Sequence, residues 1–192
     1  LITSAATASF AENGTGTVYT ATASDVDAST TLTYGLSGTD STLFNINTST
    51  GAVTFKTAPN FEAPSDAGAN NVYNIIVSAS DGTLTTTQAV AITMTNINDN
   101  PVSTLTDSNA GSNTVAENAA VGTAVGVTAL ATDADTGATI TYSLSDNAGG
   151  KFAINSTTGI VTVASALDYE TATSHNITVL ATSSDGSTNT GT

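Results

Sequence analysis

A stretch of twelve residues, FNINTSTGAVTF at Phe44–Phe55, returns as FAINSTTGIVTV at Phe152–Val163. Other stretches return with it. SFAENGTG (Ser9–Gly16) is matched by TVAENAAVG (Thr114–Gly122), and SDVDASTTLTYGLS (Ser24–Ser37) by TDADTGATITYSLS (Thr132–Ser145). FE at Phe61–Glu62 becomes YE at Tyr169–Glu170, and YNIIVSASDG (Tyr73–Gly82) becomes HNITVLATSSDG (His175–Gly186). Order is kept and the length changes fall in loops. The 192 residues therefore hold two copies of one domain of about 100 residues. We place the first at 1–95, a linker at 96–105 and the second at 106–192.

Within each copy the hydrophobic period is two. TLTYGL sets Leu32, Tyr34 and Leu36 on one face, VYNIIVSA sets Tyr73, Ile75, Val77 and Ala79, and QAVAITMT sets Val90, Ile92 and Met94. Such alternation, bounded by Gly, Asn, Asp and Ser turns, specifies strands, and many short strands specify a sandwich. In the twelve-residue motif Phe44 and Ile46 leave on one face, Asn47–Gly51 turns, and Val53 and Phe55 return on it. That is a hairpin, with Gly51 free to take a positive φ. The expected class is all-β: two tandem Greek-key β-sandwich domains of immunoglobulin-like kind. The copies end differently. TLTTTQAVAITMT follows Gly82, whereas only STNTGT follows Gly186, so the second copy is expected to lack its last strand. A piece of a longer tandem array is the favoured explanation, and a strand donated by a neighbouring chain the alternative.

Asp and Glu total 16 against 2 Lys plus Arg, a net charge of −14. No basic patch exists to neutralise phosphates, which excludes nucleic acid, and an anionic membrane surface repels the chain. No run is long and apolar enough to span a bilayer, and LITSAATASF has neither the basic start nor the apolar centre of a signal peptide. There is no cysteine, hence no disulfide and no thiolate metal site. Cations are the natural partners.

The carboxylates are not scattered. All four Glu (Glu12, Glu62, Glu117 and Glu170) lie at matching positions of the two copies. Asp-x-Asp occurs twice, at Asp25/Asp27 and Asp133/Asp135, and residues two apart on an extended chain point the same way. Between the copies NINDNP gathers Asn96, Asn98, Asp99 and Asn100 before Pro101. Hard oxygen donors with Asn amides beside them suit Ca²⁺, which takes six to eight oxygens, better than Mg²⁺ with its strict octahedron.

The pattern AEN, DxD, FE or LDYE, AxD and NxNDNP resembles the cadherin repeat, over nearly all of both copies. The resemblance implies a seven-stranded sandwich per copy and Ca²⁺ ions at the junction of successive repeats. It implies that Glu12 and Glu62 of the first copy, Asn98, Asp99 and Asn100 of the linker, and Asp133 and Asp135 of the second copy share one junction. Asp25, Asp27 and Asp81 would then face an upstream linker, and Glu117, Asp168 and Glu170 a downstream one. Three positions depart from the pattern. Asn60 and Asn96 stand where the family has Asp, and the second AxD reads Ala181-Thr182-Ser183, with Asp185 the nearest acid. One to three ions is the expected range. The Asn- and Thr-rich composition is similar to bacterial cadherin-like adhesins.

The remaining candidates are structural. His175 replaces Tyr73 at the start of a strand, without the partners of a catalytic triad. Acids at domain ends, with few aromatics nearby, do not make a glycosidase, so no catalytic residue is assigned. SDAGANN (Ser65–Asn71) reads as a solvated loop, with Asp66 as a minor further Ca²⁺ ligand. The sequons at Asn13, Asn47, Asn155 and Asn176 are expected by chance in a chain this rich in Asn and Thr. The expected function is an extracellular, Ca²⁺-rigidified segment of a cell-surface adhesin or fibre. Its partners would be calcium, neighbouring copies of itself, another surface protein or a glycan. The alternatives are a filament or sheath subunit completed by a neighbour, and a polysaccharide-binding module.

Overall fold

The computed structural model describes residues 1–27 and 31–192; the stretch 28–30, inside the Ser24–Ser37 match, lies outside the described residues. It holds strands and one 3-10 turn at Ser41–Leu43, and no α-helix among the described residues. Two compact units form, Leu1–Ile97 and Asn98–Thr192.

The first unit contains β1 (Thr7–Ala11), β2 (Thr17–Thr20), β3 (Thr33–Ser37), β4 (Phe44–Ile46), β5 (Ala52–Phe55), β6 (Val72–Ser80) and β7 (Thr85–Thr95). They form two sheets, β1-β7-β6-β3 and β2-β5-β4. The alternation predicted for Tyr73–Ala79 and Val90–Met94 is realised in β6 and β7, which pair antiparallel with Tyr73 opposite Ile92. These inward positions face one continuous core: Val53, Tyr73, Val77 and Ile92 are fully buried, with Phe44 and Met94 beside them. The Phe55 and Tyr73 rings meet edge to face at 5.1 Å.

The second unit contains β8 (Thr106–Asp107), β9 (Ala124–Leu130), β10 (Ile140–Asp146), β11 (Phe152–Ile154), β12 (Ile160–Val163), β13 (Thr178–Ser183) and β14 (Thr188–Gly191). Its sheets are β10-β13-β14 and β11-β12-β9-β8. Here the expectation of an absent last strand is corrected. Thr188–Gly191 is that strand, short but paired with Thr182–Val179. Asp185 makes it possible: its Oδ1 accepts the Ser187 N–H at 2.7 Å and turns the chain back. The NINDNP region is not uniform linker either. Val102 is buried in the second core, and its N–H is held by Ser187 Oγ at 2.8 Å.

The predicted hairpin appears twice. Phe44 pairs with Phe55, and Phe152 with Val163. In each copy an Asn side chain caps the turn. Asn47 Oδ1 accepts the N–H of Ser49 and Thr50, and Asn155 Oδ1 those of Thr157 and Thr158, all at 2.9–3.0 Å. Gly51 (φ 72°) and Gly159 (φ 70°) then take the left-handed conformation.

The second core differs from the first. It is split into a group around Ala129, Tyr142 and Ala181 and another around Val125, Phe152, Val161 and Val163. β14 has four residues where β7 has eleven. β1 pairs with the far part of β7, Ala91–Thr95. Residues 112–116, the repeat counterpart of β1, have no such strand beside them and remain irregular.

Candidate metal centre

In the first unit Glu12 is 1% exposed, unusual for a carboxylate. Its two oxygens are taken up by backbone donors. Oε2 accepts the Phe61 N–H at 2.7 Å, and Oε1 accepts the Ile97 N–H at 2.7 Å. Glu12 thus ties the end of β1 to the loop after β5 and to the exit of β7. Glu62 brings a carboxylate oxygen within 4.8 Å of one from Glu12, and its own oxygens are shielded from solvent. Asn60 Oδ1 accepts the Ala63 N–H at 2.9 Å, capping the turn that presents Glu62. In the second copy Asp168 caps the same turn through the N–H of Glu170 and Thr171, and Tyr169 donates to Glu117 Oε2 at 2.8 Å as Phe61 does to Glu12. Asn can replace Asp at position 60 because the turn needs only an acceptor oxygen.

In the second unit Asp133, Asp135 and Asp185 bring carboxylate oxygens within 4.8 Å of one another. Asp135 is 4% exposed and is ordered by Asn100, whose N–H reaches Oδ2 at 2.7 Å and whose amide reaches Oδ1 at 2.8 Å. Asn98, in the amide orientation that satisfies both its ends, donates to Asp135 Oδ2 at 3.0 Å and accepts the Asp185 N–H at 2.9 Å. Asp99 lies exposed between them in sequence. The Asp135 N–H closes an Asx turn on Asp133 Oδ1 at 3.0 Å, and Asp27 does the same on Asp25 at 2.8 Å.

Ser183 was read in the sequence only as a lost acid. The structure gives it a role: it is buried, and its hydroxyl donates to Asp133 Oδ2. That bond first, and the Asp135 N–H second, hold the Asp133 carboxyl below the ordinary carboxylate value of 3.8. The Thr171 hydroxyl and N–H do the same for Asp168, and the Leu84 and Thr83 N–H groups for Asp81. A depressed folded pKa contributes stability that is complete above the unfolded value and is lost as pH falls through the folded one. These three groups therefore remain charged near pH 4 and cost stability only below it. Ser183→Ala is expected to move the Asp133 transition upward towards 3.8, visible as its side-chain carboxyl shift in an NMR titration. An unmoved transition would show that the hydroxyl does not set it.

Glu117, Asp168 and Glu170 form a third group, fully exposed, with oxygens within 4.8 Å. The remaining predicted set is not gathered: among the described residues Asp25, Asp27 and Asp81 form no such group, and Asp81 Oδ1 instead caps the β6–β7 turn through Thr83 and Leu84 at 2.7 and 2.6 Å. The Ser65–Asn71 loop is exposed at Ser65 and at 67–70, as a solvated loop should be, and departs from that at one residue. Asp66 is buried, and its oxygens accept the Asn70 and Asn71 N–H groups. Asp40, buried beneath the loop, accepts from Ala67 and Asn74. Both carboxylates organise backbone.

The donor sets fit a hard cation. All their charged ligands are carboxylates, each with about four lone-pair directions and some already oriented by N–H groups. Neither lysine neutralises them: Lys56 Nζ donates to the Thr42 carbonyl and Lys151 Nζ to that of Ala166.

Residues 112–192 match the cadherin domain family. Both units have the fold of a cadherin-like repeat, and the second matches the family itself. Over 153 residues the chain is 36% identical to human protocadherin Fat 1, covering 78% of this chain and 3% of that protein. It is 34% identical to human protocadherin Fat 4 over 172 residues, covering 85% of this chain and 3% of that one. A crystal structure of mouse cadherin-23 EC22-24 superposes with a TM-score of 0.79 at 31% identity, over 96% of this chain and 60% of that one. One of human CDH23 EC21-23 gives 0.72 at 28%, over 96% and 58%. The chain thus spans a small part of the curated relatives it matches, and those relatives are animal proteins.

Proposed function

We propose that the repeat pair is a Ca²⁺-stiffened segment of a long extracellular adhesion protein. The observation that carries this is the gathering of Asp133, Asp135 and Asp185 within 4.8 Å, beside Asn98 and Asn100, with both lysines engaged elsewhere. Glu12, Glu62 and Asp99 would complete a junction of one to three ions between the repeats. Glu117, Asp168 and Glu170 would serve the next junction, and Asp25, Asp27 and Asp81 the one before. Bound Ca²⁺ would cancel carboxylate repulsion and fix the angle between the domains, since interfaces between tandem domains are in general small. The function is mechanical rather than catalytic, with neighbouring copies or another surface protein as adhesion partner. The Asn- and Thr-rich surface, poor in basic residues, is what supports a bacterial surface adhesin as the parent.

Calorimetric titration of chelator-treated protein is the test. Saturable Ca²⁺ binding is expected, reduced at least tenfold in affinity by Asp133→Ala with Asp135→Ala. Small-angle scattering should show a longer particle with Ca²⁺ than with chelator. Unchanged scattering would sink the stiffening role, and no heat at millimolar Ca²⁺ the site itself. Binding should also raise the melting temperature, since a ligand of the native state stabilises by mass action.

A further inference from the structure

Asp135 is the buried member of the Asp133, Asp135 and Asp185 group, and the protein itself already satisfies most of its oxygen valence. Oδ2 accepts the Asn100 N–H at 2.7 Å and the Asn98 amide at 3.0 Å, and Oδ1 accepts the Asn100 amide at 2.8 Å. A carboxylate has about four lone-pair sites, so three N–H donors leave Asp135 about one. Asp133 is engaged as well, by the Asp135 N–H on Oδ1 and the Ser183 hydroxyl on Oδ2. Ca²⁺ takes six to eight oxygens, and amide protons aimed at the same carboxylate stand in its way. The two Asn side chains differ from the other donors. A backbone N–H is fixed by the chain, whereas an amide turned end for end exchanges its NH₂ for a carbonyl oxygen. At Asn98 that turn would set an oxygen 3.0 Å from Asp135 Oδ2, and at Asn100 one 2.8 Å from Oδ1. Two oxygens that close repel unless a cation lies beside them.

We propose that the Asn98 and Asn100 amides stand in for the cation. In chelator they hold Asn98–Asn100 on Asp135 through their NH₂ groups, and on Ca²⁺ binding both turn end for end and present oxygen. The inference deepens the Ca²⁺ reading above and rests on it. The amides compete with the ion, so the site gives up affinity for a segment that stays ordered when calcium is low. Aspartate at either position would not serve, because a carboxylate has no proton to donate.

Two-dimensional ¹H–¹⁵N spectra of the intact protein follow the side-chain amides, with Asn98→Ala and Asn100→Ala assigning the signals. In chelator one amide proton of each Asn should lie downfield, shifted by its carboxylate acceptor. Saturating Ca²⁺ should return both to the region of amides without such a partner. Amide signals already in that region in chelator would overturn the proposal. Calorimetry on the same samples separates the two failures. Ca²⁺ binding heat with unmoved amide signals sinks this inference alone, whereas no heat sinks the Ca²⁺ reading and this inference with it. Asn100→Asp is the second check. It should lower the melting temperature in chelator, where Asp135 loses a donor and gains a negative neighbour. It should also bind Ca²⁺ about tenfold more tightly, since affinity rises with the charge of the ligands. Unchanged melting in chelator, or weaker Ca²⁺ binding, would show that the Asn100 amide does not take the cation's place.

Discussion

Glu12→Ala is expected to destabilise the first repeat by about 2–4 kcal/mol in chelator, before any metal is considered. Two backbone donors, Phe61 and Ile97 N–H, lose their acceptor at once, and the fully buried side chain leaves a void. A loss of that size is a large fraction of a domain's stability. The second repeat provides the internal comparison. Glu117 is exposed and accepts one bond, from Tyr169, so Glu117→Ala should shift its own repeat far less. Urea denaturation followed through near-ultraviolet signals checks both. Equal shifts would mean that burial of Glu12 is not what gives it its weight. Glu12→Gln should recover part of the loss, since one amide oxygen still accepts.

The second large effect concerns the hairpin glycines. A Cβ on Gly159 would fall 2.1 Å from the Ala129 carbonyl oxygen, and one on Gly51 2.2 Å from that of Ala21. The glycine carbonyls in turn accept the Ala129 and Ala21 N–H groups at 2.9 Å, so the neighbouring strand cannot retreat without breaking its own ladder. Left-handed backbone alone costs a non-glycine residue about 1–2 kcal/mol. The contact with backbone should carry Gly159→Ala and Gly51→Ala beyond about 3 kcal/mol. Gly122 separates the two contributions. Its φ is 92° and no atom lies near the added Cβ, so Gly122→Ala should show the conformational cost only. If Gly159→Ala unfolds at the same urea concentration as Gly122→Ala, close approach to Ala129 is not the reason for glycine there.

Much of the fold was legible because its information is local and stated twice. Alternation at Tyr73–Ala79 and Val90–Met94 has a period that only a strand satisfies with one buried face. The Asn47–Gly51 and Asn155–Gly159 turns need an acceptor and a left-handed residue at set positions, which the residues themselves supply. Carboxylate positions were legible through their recurrence: Glu117, Asp168 and Glu170 lie close together, as do Asp133, Asp135 and Asp185, whereas Asp25, Asp27 and Asp81 do not form such a group.

What misled was whatever depends on partners distant in the chain. Ser183 reads as a lost acid, yet its hydroxyl holds Asp133 charged from some fifty residues away. Thr188–Gly191 has no strand pattern of its own and pairs because β13 presents an unfilled edge. By itself the sequence determined the duplication, the all-β class, the hairpins and the residue types offered to a cation. These follow from periodicity and turn chemistry, which act over a few residues. Only the tertiary structure decided the burial of Glu12 and the roles of Ser183 and Asp185. Each of these is set by how strands distant in the chain are registered, and a short sequence window does not record that register.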